Sequence, residues 1–244
     1  MPAATAATPP TARAILDELK PLGSESYKKT LMRHGIREPL YGVKIEHLKK
    51  IQKRVKKDYQ LALDLYDTGV YDAMYLAGLI ADERRMTRTD LQRWLARATS
   101  ATLCDYTVPW VAAESAHGRA LALEWIDAKD AGAASAGWMT LSGLVALRPD
   151  DQLDLKELKR LLARVAKTIH ASPDRVRYAM NGFVIAVGSY VAPLSDEAVA
   201  AAKRIGRVDV DMGETACQVP DAAAYIEKVR KRGTVGKKRK TVRC

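Results

Sequence analysis

The segment Thr102 to Trp110 reads Thr-Leu-Cys-Asp-Tyr-Thr-Val-Pro-Trp and sets one acid, Asp105, among apolar and aromatic neighbours. A carboxylate in such a place either serves a helix start or faces a ligand, where it can stabilise developing positive charge. Pro109 bears on the choice. With Asp105 as N-cap, Pro109 would be the fourth helical residue, where its ring clashes with the cap carbonyl and its N–H is missing. With Thr107 as cap, Pro109 falls at the second helical position, which tolerates it. Asp105 is therefore expected in a turn just before the helix, with a structural and a ligand-facing role both open. Glu114, one helical turn after Trp110, is a second candidate catalytic carboxylate. Trp110 and Trp138 are candidates to face a groove, with core packing as the alternative.

The cations suggest a polyanionic partner. The chain carries 40 Lys and Arg against 29 Asp and Glu, a formal net charge of +11. Nine of the cations lie between Lys228 and Cys244 with no acid among them, so the rest is nearly balanced, 31 against 29. A basic run of this kind attracts polyanions, nucleic acid above all, with salt-sensitive affinity. Lys49, Lys53, Arg84, Arg85, Arg88, Arg175 and Arg177 are candidates for phosphate contact, joined by Lys237, Lys238, Arg239 and Lys240 of the terminal run. Each alone also reads as ordinary solvated surface. The three cysteines are scattered, and the four histidines share no ligand spacing with them. Neither zinc, nor a disulfide framework, nor a cofactor is expected, and a reducing cytoplasm is the default compartment.

Helical periodicity positions these residues. With hydrophobic content of 48% and charged content of 28%, the chain reads as a soluble globular protein without a membrane span. Abundant Ala and Leu with a single Phe favour helix over strand. Apolar residues recur at helical spacing from Ala14 to Ile36, from Val43 to Val55, and onward to Val229. Lys49 and Lys53 fall opposite the apolar stripe of their helix. Thr89 or Asp90 is expected to cap the helix holding Trp94, and Ser195 a later one. Pro173 suits the first helical position of another. Gly182 to Val191 is expected as buried helix. Helix pairs recur about every 30–40 residues, the mark of an α-solenoid. The expected architecture is an all-α, HEAT or armadillo-like superhelix of antiparallel pairs over residues 12–227. Residues 1–11 are expected as a disordered leader and 228–244 as a flexible basic tail.

The chain resembles the DNA alkylation repair family, the AlkD-like glycosylases with HEAT-like repeats. The likeness is carried by Tyr41 to Ile51, Tyr71 to Ala77, Leu103 to Trp110, Arg175 to Phe183 and Gly213 to Asp221 with the basic tail. It implies a concave DNA-binding surface, duplex DNA that is alkylated or branched as partner, and a monomer. Active members remove cationic alkylated purines with a Trp-Trp-Asp-x-Val-Asp pattern. Here Leu103-Cys104 stands at the Trp pair, Asp105 at the first Asp and Val108 at the catalytic second Asp. A DNA-contacting Arg of relatives falls near Gly137 and a second catalytic Trp near Gly182. The resemblance thus implies fold and DNA surface more strongly than glycosylase chemistry. A non-catalytic DNA binder and a protein-interaction scaffold stand as alternatives.

Overall fold

A computed structural model describes residues 10–212 and 217–244. The leader, apart from its last two residues, and Gly213 to Ala216 of the family-like C-terminal stretch lie outside the described residues. Helices α1 (Ala12–Leu19), α2 (Glu25–Arg33), α3 (Ile45–Val55), α4 (Tyr59–Asp67), α5 (Tyr71–Ile80) and α6 (Arg88–Ala96) form the first half. The second half holds α7 (Val108–Glu114), α8 (Gly118–Trp125), α9 (Ala131–Leu147), α10 (Leu155–Thr168), α11 (Asp174–Tyr190), α12 (Ser195–Ile205) and α13 (Ala222–Lys231). Among the described residues the sole extended pairing is one bridge, Gly23 to Val43.

The helix starts follow from short polar side chains. Thr11, Ser24, Asp58, Asp130, Asp154 and Asp221 each accept the N–H three residues on, satisfying one of the free donors of a first turn. The cap of α6 differs from expectation. Thr87 holds that place and Asp90, three residues later, closes a reciprocal capping box. Ser195 likewise is the first residue of α12, not its cap, and its hydroxyl donates to the Gly188 carbonyl at 2.8 Å. Pro173 stands one place outside α11.

Adjacent helices pack as pairs, α4 on α5 and α8 on α9, and α9 lies along α11, which supports α12 and α13. The hydrophobic core forms two clusters, one from Ile15 to Ala136 and one from Ala113 to Ile226. They abut where α7 meets α9. α5, α9 and α11 carry few charges and are buried on nearly every side, as the inner helices of a layered α fold must be. No single helix among the described residues is long and apolar enough to cross a membrane.

Asp72 explains one family-like stretch. Its side chain is fully buried at the first turn of α5. Its oxygens accept the Tyr41 N–H at 2.6 Å and the Val43 N–H at 2.7 Å. The carboxylate therefore pins the loop that leads into α3, which carries the lysines.

The terminal segment corrects an expectation. Residues 228–231 complete α13, and the chain from Thr234 onward is a packed strap, not a flexible tail. Gly236 N–H donates to the Ser189 carbonyl at 2.9 Å and Arg239 N–H to the Ala146 carbonyl at 2.8 Å. Arg243 is buried in the first half of the molecule, donating to the Leu79 and Ala81 carbonyls at 3.2 and 2.7 Å. The run carries many cations, yet its backbone and the side chains of Lys238, Thr241 and Arg243 find fixed partners, and this holds it down.

Candidate nucleic-acid interface

The segment around Asp105 is helical throughout and contains a π turn at Leu103–Thr107. Pro109 gives the reason. An α-helix would direct the residue-109 N–H to the Asp105 carbonyl, and proline has none. The Val108 N–H instead reaches five residues back to the Leu103 carbonyl, a widened turn of the kind that accommodates such a clash. Thr107 then precedes α7 with Pro109 at its second residue, as expected, but Asp105 lies within the helical path and not in a turn before it. Gly78 of α5 allows the close approach: a Cβ there would lie 2.5 Å from Thr107 Cγ2.

The π turn aims Asp105 at α9 and α11. Asp105 Oδ1 accepts the Ser135 hydroxyl at 2.5 Å and Arg175 Nε at 3.1 Å. Arg175 Nη2 also donates to the Ala101 carbonyl at 2.7 Å. Burial pushes the Asp105 carboxyl above its ordinary value, against the pull of Arg175 and Ser135. Arg175, expected at phosphate, is thus occupied by Asp105. Arg177 is occupied too, donating to the Asp209 carbonyl at 2.8 Å and pairing with Asp174.

Two grooves flank the strap. The first, of about 510 Å³, is lined by α7, α9, α11, α13 and strap residues. Tyr106, Trp110 and Tyr225 supply aromatic walls, and Lys237 and Arg239 stand at the rim. Tyr106 and Tyr225 are 36% and 48% exposed, which leaves part of each ring open to the groove. Trp110 is partly buried with its ring edge-on to Tyr75 at 5.5 Å. Among the described residues Asp105 is the only carboxylate on this groove's wall. Gly182 opens it, since a Cβ there would meet nothing within 4 Å.

The second groove, of about 650 Å³, lies on the other side of the strap and includes Lys49 and Lys53 of α3, Arg148 and Lys240. Glu114 lies here, one turn along α7 from Trp110. Its Oε1 accepts the Thr241 hydroxyl at 2.5 Å and the Val242 N–H at 3.1 Å. Arg243 Nε sits 2.9 Å from its Oε2, close enough for an ion pair though not aligned as a hydrogen bond. Glu114, expected as a catalytic acid, thus has both oxygens engaged with the strap.

Three further site expectations change. Trp138 is fully buried, 5.2 Å from the Phe183 ring, because α9 is enclosed by α8 and α11. Lys238 crosses the ends of α9 and α11, donating to the Val145 and Tyr190 carbonyls at 2.9 and 2.6 Å, with Asp150 Oδ1 at 2.7 Å. The free carbonyls at two helix ends attract a cation. Arg84, Arg85 and Arg88 are exposed but border neither groove. Arg85 covers the Tyr59 ring at 4.5 Å and Arg88 pairs with Glu124. Tyr225, Arg148 and Arg243 escaped the sequence reading. Tyr106 was available beside Asp105, whereas nothing local marks Arg243 or Tyr225. Among the described residues no three His, Cys, Asp or Glu gather as a metal site.

The family positions also find a place. Val108 is fully buried in the core. A Cβ at Gly137 would lie 2.6 Å from the Ile126 nitrogen, so α8 packs where an arginine would have to stand. The model of the DNA alkylation repair enzyme family matches residues 15–225. The chain belongs to that family. Two uncharacterized relatives in this range are Lin0241 of Listeria innocua serovar 6a, 35% identical over 221 residues, and Lmo0209 of Listeria monocytogenes serovar 1/2a, 33% identical over 220 residues. Each alignment covers 88% of this chain and 95% of the relative. A solved structure, 37% identical with a TM-score of 0.89, covers 96% of this chain and 100% of its own. It represents a new family of proteins related to the HEAT-like repeat DNA glycosylases, with affinity for branched DNA structures. The expected HEAT-like all-α fold of the DNA alkylation repair family is thereby established for this chain.

Proposed function

We propose that this member of the DNA alkylation repair family binds branched DNA and does not break glycosidic bonds. The observation that carries the reading is the state of Asp105, the one carboxylate of the aromatic groove among the described residues, which is held by Arg175 at 3.1 Å. Loss of an alkylated purine builds positive charge on the sugar, and catalysis needs an opposing charge aimed at it. A guanidinium beside the carboxylate cancels that field. Glu114 is engaged by the strap, and Val108 carries no charge. What remains is suited to binding. Tyr106, Trp110 and Tyr225 offer faces for bases or sugars, and Lys237 and Arg239 offer charge for phosphates. The described lining of the groove comes from a single chain, which supports a monomer as the binding unit. The affinity of the related solved protein for branched DNA supports the choice of ligand.

The test has two arms. Excess protein is incubated with a duplex containing 7-methylguanine, and abasic sites are counted after alkali. Separately, fluorescence anisotropy reads affinity for a four-way junction and a linear duplex at low and high salt. The expected result is no abasic sites, with junction affinity that falls steeply as salt rises. Abasic sites above the protein-free level, abolished by Asp105→Asn, would restore the glycosylase reading. Absence of any DNA affinity would overturn the binding reading and favour a protein scaffold.

A further inference from the structure

We infer that the second groove is a separate DNA-arm site, so that the strap divides one arm of a branched DNA from another. The inference rests on the DNA-binding reading above and adds where the second arm lies. The groove's wall carries eight Lys and Arg side chains against two carboxylates, Glu83 and Glu114. Both carboxylates are taken up by Arg243, and Glu83 also by Lys57. Lys49, Lys53 and Lys56 along the end of α3 are exposed. Arg148 stands at the end of α9 and Lys240 on the strap, so three elements converge on one opening. A surface of cations with its acids internally neutralised matches a phosphodiester backbone. Among the described residues its wall carries no aromatic ring, so it offers phosphate contact without base stacking, which suits a paired duplex arm.

The partition between the grooves is specific. Along α7, Trp110 faces the aromatic groove and Glu114 the cationic one. Along the strap, Val242 lines the first while Thr241 and Arg243 line the second. Arg239 borders both. A junction seated over Arg239 would place unpaired or distorted bases against the tyrosines and a duplex arm along α3.

Lys56 supplies an independent sign. It ends α3 with φ of +64° and ψ of −129°, the only positive φ at a non-glycine among the described residues. This lies outside the left-handed helical basin, in a region that glycine occupies without cost. A lysine there sacrifices local stability while placing a cation on the groove wall. Strained backbone of this sort gathers at functional sites.

Anisotropy titrations test the inference on wild type, the Lys49→Ala/Lys53→Ala double variant, Lys56→Gly and Tyr225→Ala, each with a four-way junction and a linear duplex. The lysines are exposed, so thermal unfolding of the double variant should match wild type, and Lys56→Gly should melt no lower. The double variant should bind the junction and the linear duplex each about tenfold more weakly, with salt slopes reduced by about 1–2, since a paired arm is what this groove holds. Lys56→Gly should lose junction affinity in the same direction. Tyr225→Ala should weaken the junction and leave linear duplex affinity within about threefold, since a linear duplex has no unpaired bases to stack. A double variant that keeps the junction and duplex affinities of wild type overturns the second groove and leaves DNA binding standing. So does a wild type that binds junction and duplex equally. A wild type that binds neither overturns the functional reading itself.

Discussion

Arg243 and Glu83 are separated by 160 positions in the chain, and Arg243 Nη2 lies 2.9 Å from Glu83 Oε2. The contact joins the strap to the end of α5. Arg243 also reaches Glu114 at the end of α7. One buried side chain thereby ties the first half of the superhelix to the segment that follows its last helix, and it does so on the floor between the two grooves. Arg243→Ala should leave Glu114 without its cation and Glu83 with Lys57 alone, and cost about 3 kcal/mol of unfolding free energy. Urea denaturation measures this, and a change under 1 kcal/mol would show that the strap is held mainly by Lys238 and its own backbone.

Acid should loosen the same contact. Burial opposes ionisation of Glu83, but Lys57 and then Arg243 outweigh it and hold the carboxyl below its ordinary 4.5. Burial likewise opposes ionisation of Asp90 in the α6 capping box, but Thr87 and Tyr59 hold it below its ordinary 3.8. A carboxyl whose folded pKa is depressed stabilises the fold above its unfolded pKa and loses that contribution as pH falls through the folded one. Stability should therefore decline as pH drops below about 4.5, and Glu83→Gln should flatten that decline. Denaturation midpoints across the acid range decide the matter. Parallel acid limbs for variant and wild type would remove Glu83 from the account.

Asp72→Ala would strand the Tyr41 and Val43 N–H groups in the interior. The expected loss is about 2–4 kcal/mol, read by chemical denaturation. Asn at the same place keeps a single acceptor oxygen and should recover about half of the loss. Equal destabilisation by Ala and Asn would mean that the charge, not the accepting geometry, holds the loop.

Tyr225 projects from α13 with nearly half its surface open. If bases stack there, Tyr225→Ala should weaken junction binding by about 1–3 kcal/mol without lowering thermal stability. Tyr225→Phe should bind as wild type does, since stacking uses the ring and not the hydroxyl. A defect in the Phe variant equal to that of Ala would point to a hydrogen bond through the hydroxyl.

Much of this molecule is local and was legible as such. Repeating apolar positions fix which face of each helix is buried, and the Thr, Ser and Asp caps fix where most of them begin. Pro109 foretells that a simple helix cannot run through Asp105, although whether the chain answers with a turn or with a widened π turn depends on α5 and α9 pressing on either side. The order of motifs from Tyr41 to Phe183 carries the family, since the fold constrains each stretch in turn. Asp72 belongs to that pattern because a buried carboxylate must find donors, and the loop beside α3 provides them.

The fate of individual charges was not legible, because a side chain's partner lies wherever the superhelix brings another segment. Arg175 looked free for phosphate until α11 set it against Asp105. Glu114 looked free for catalysis until the strap returned across α7. Lys238 and Lys240 stand two residues apart in one basic run, yet the first is drawn to two helix ends and the second faces a groove. The sequence by itself determined the helices, their buried faces and the family. Only the tertiary structure decided which cations remain available, since pairing depends on distances through space that residue spacing along the chain does not contain.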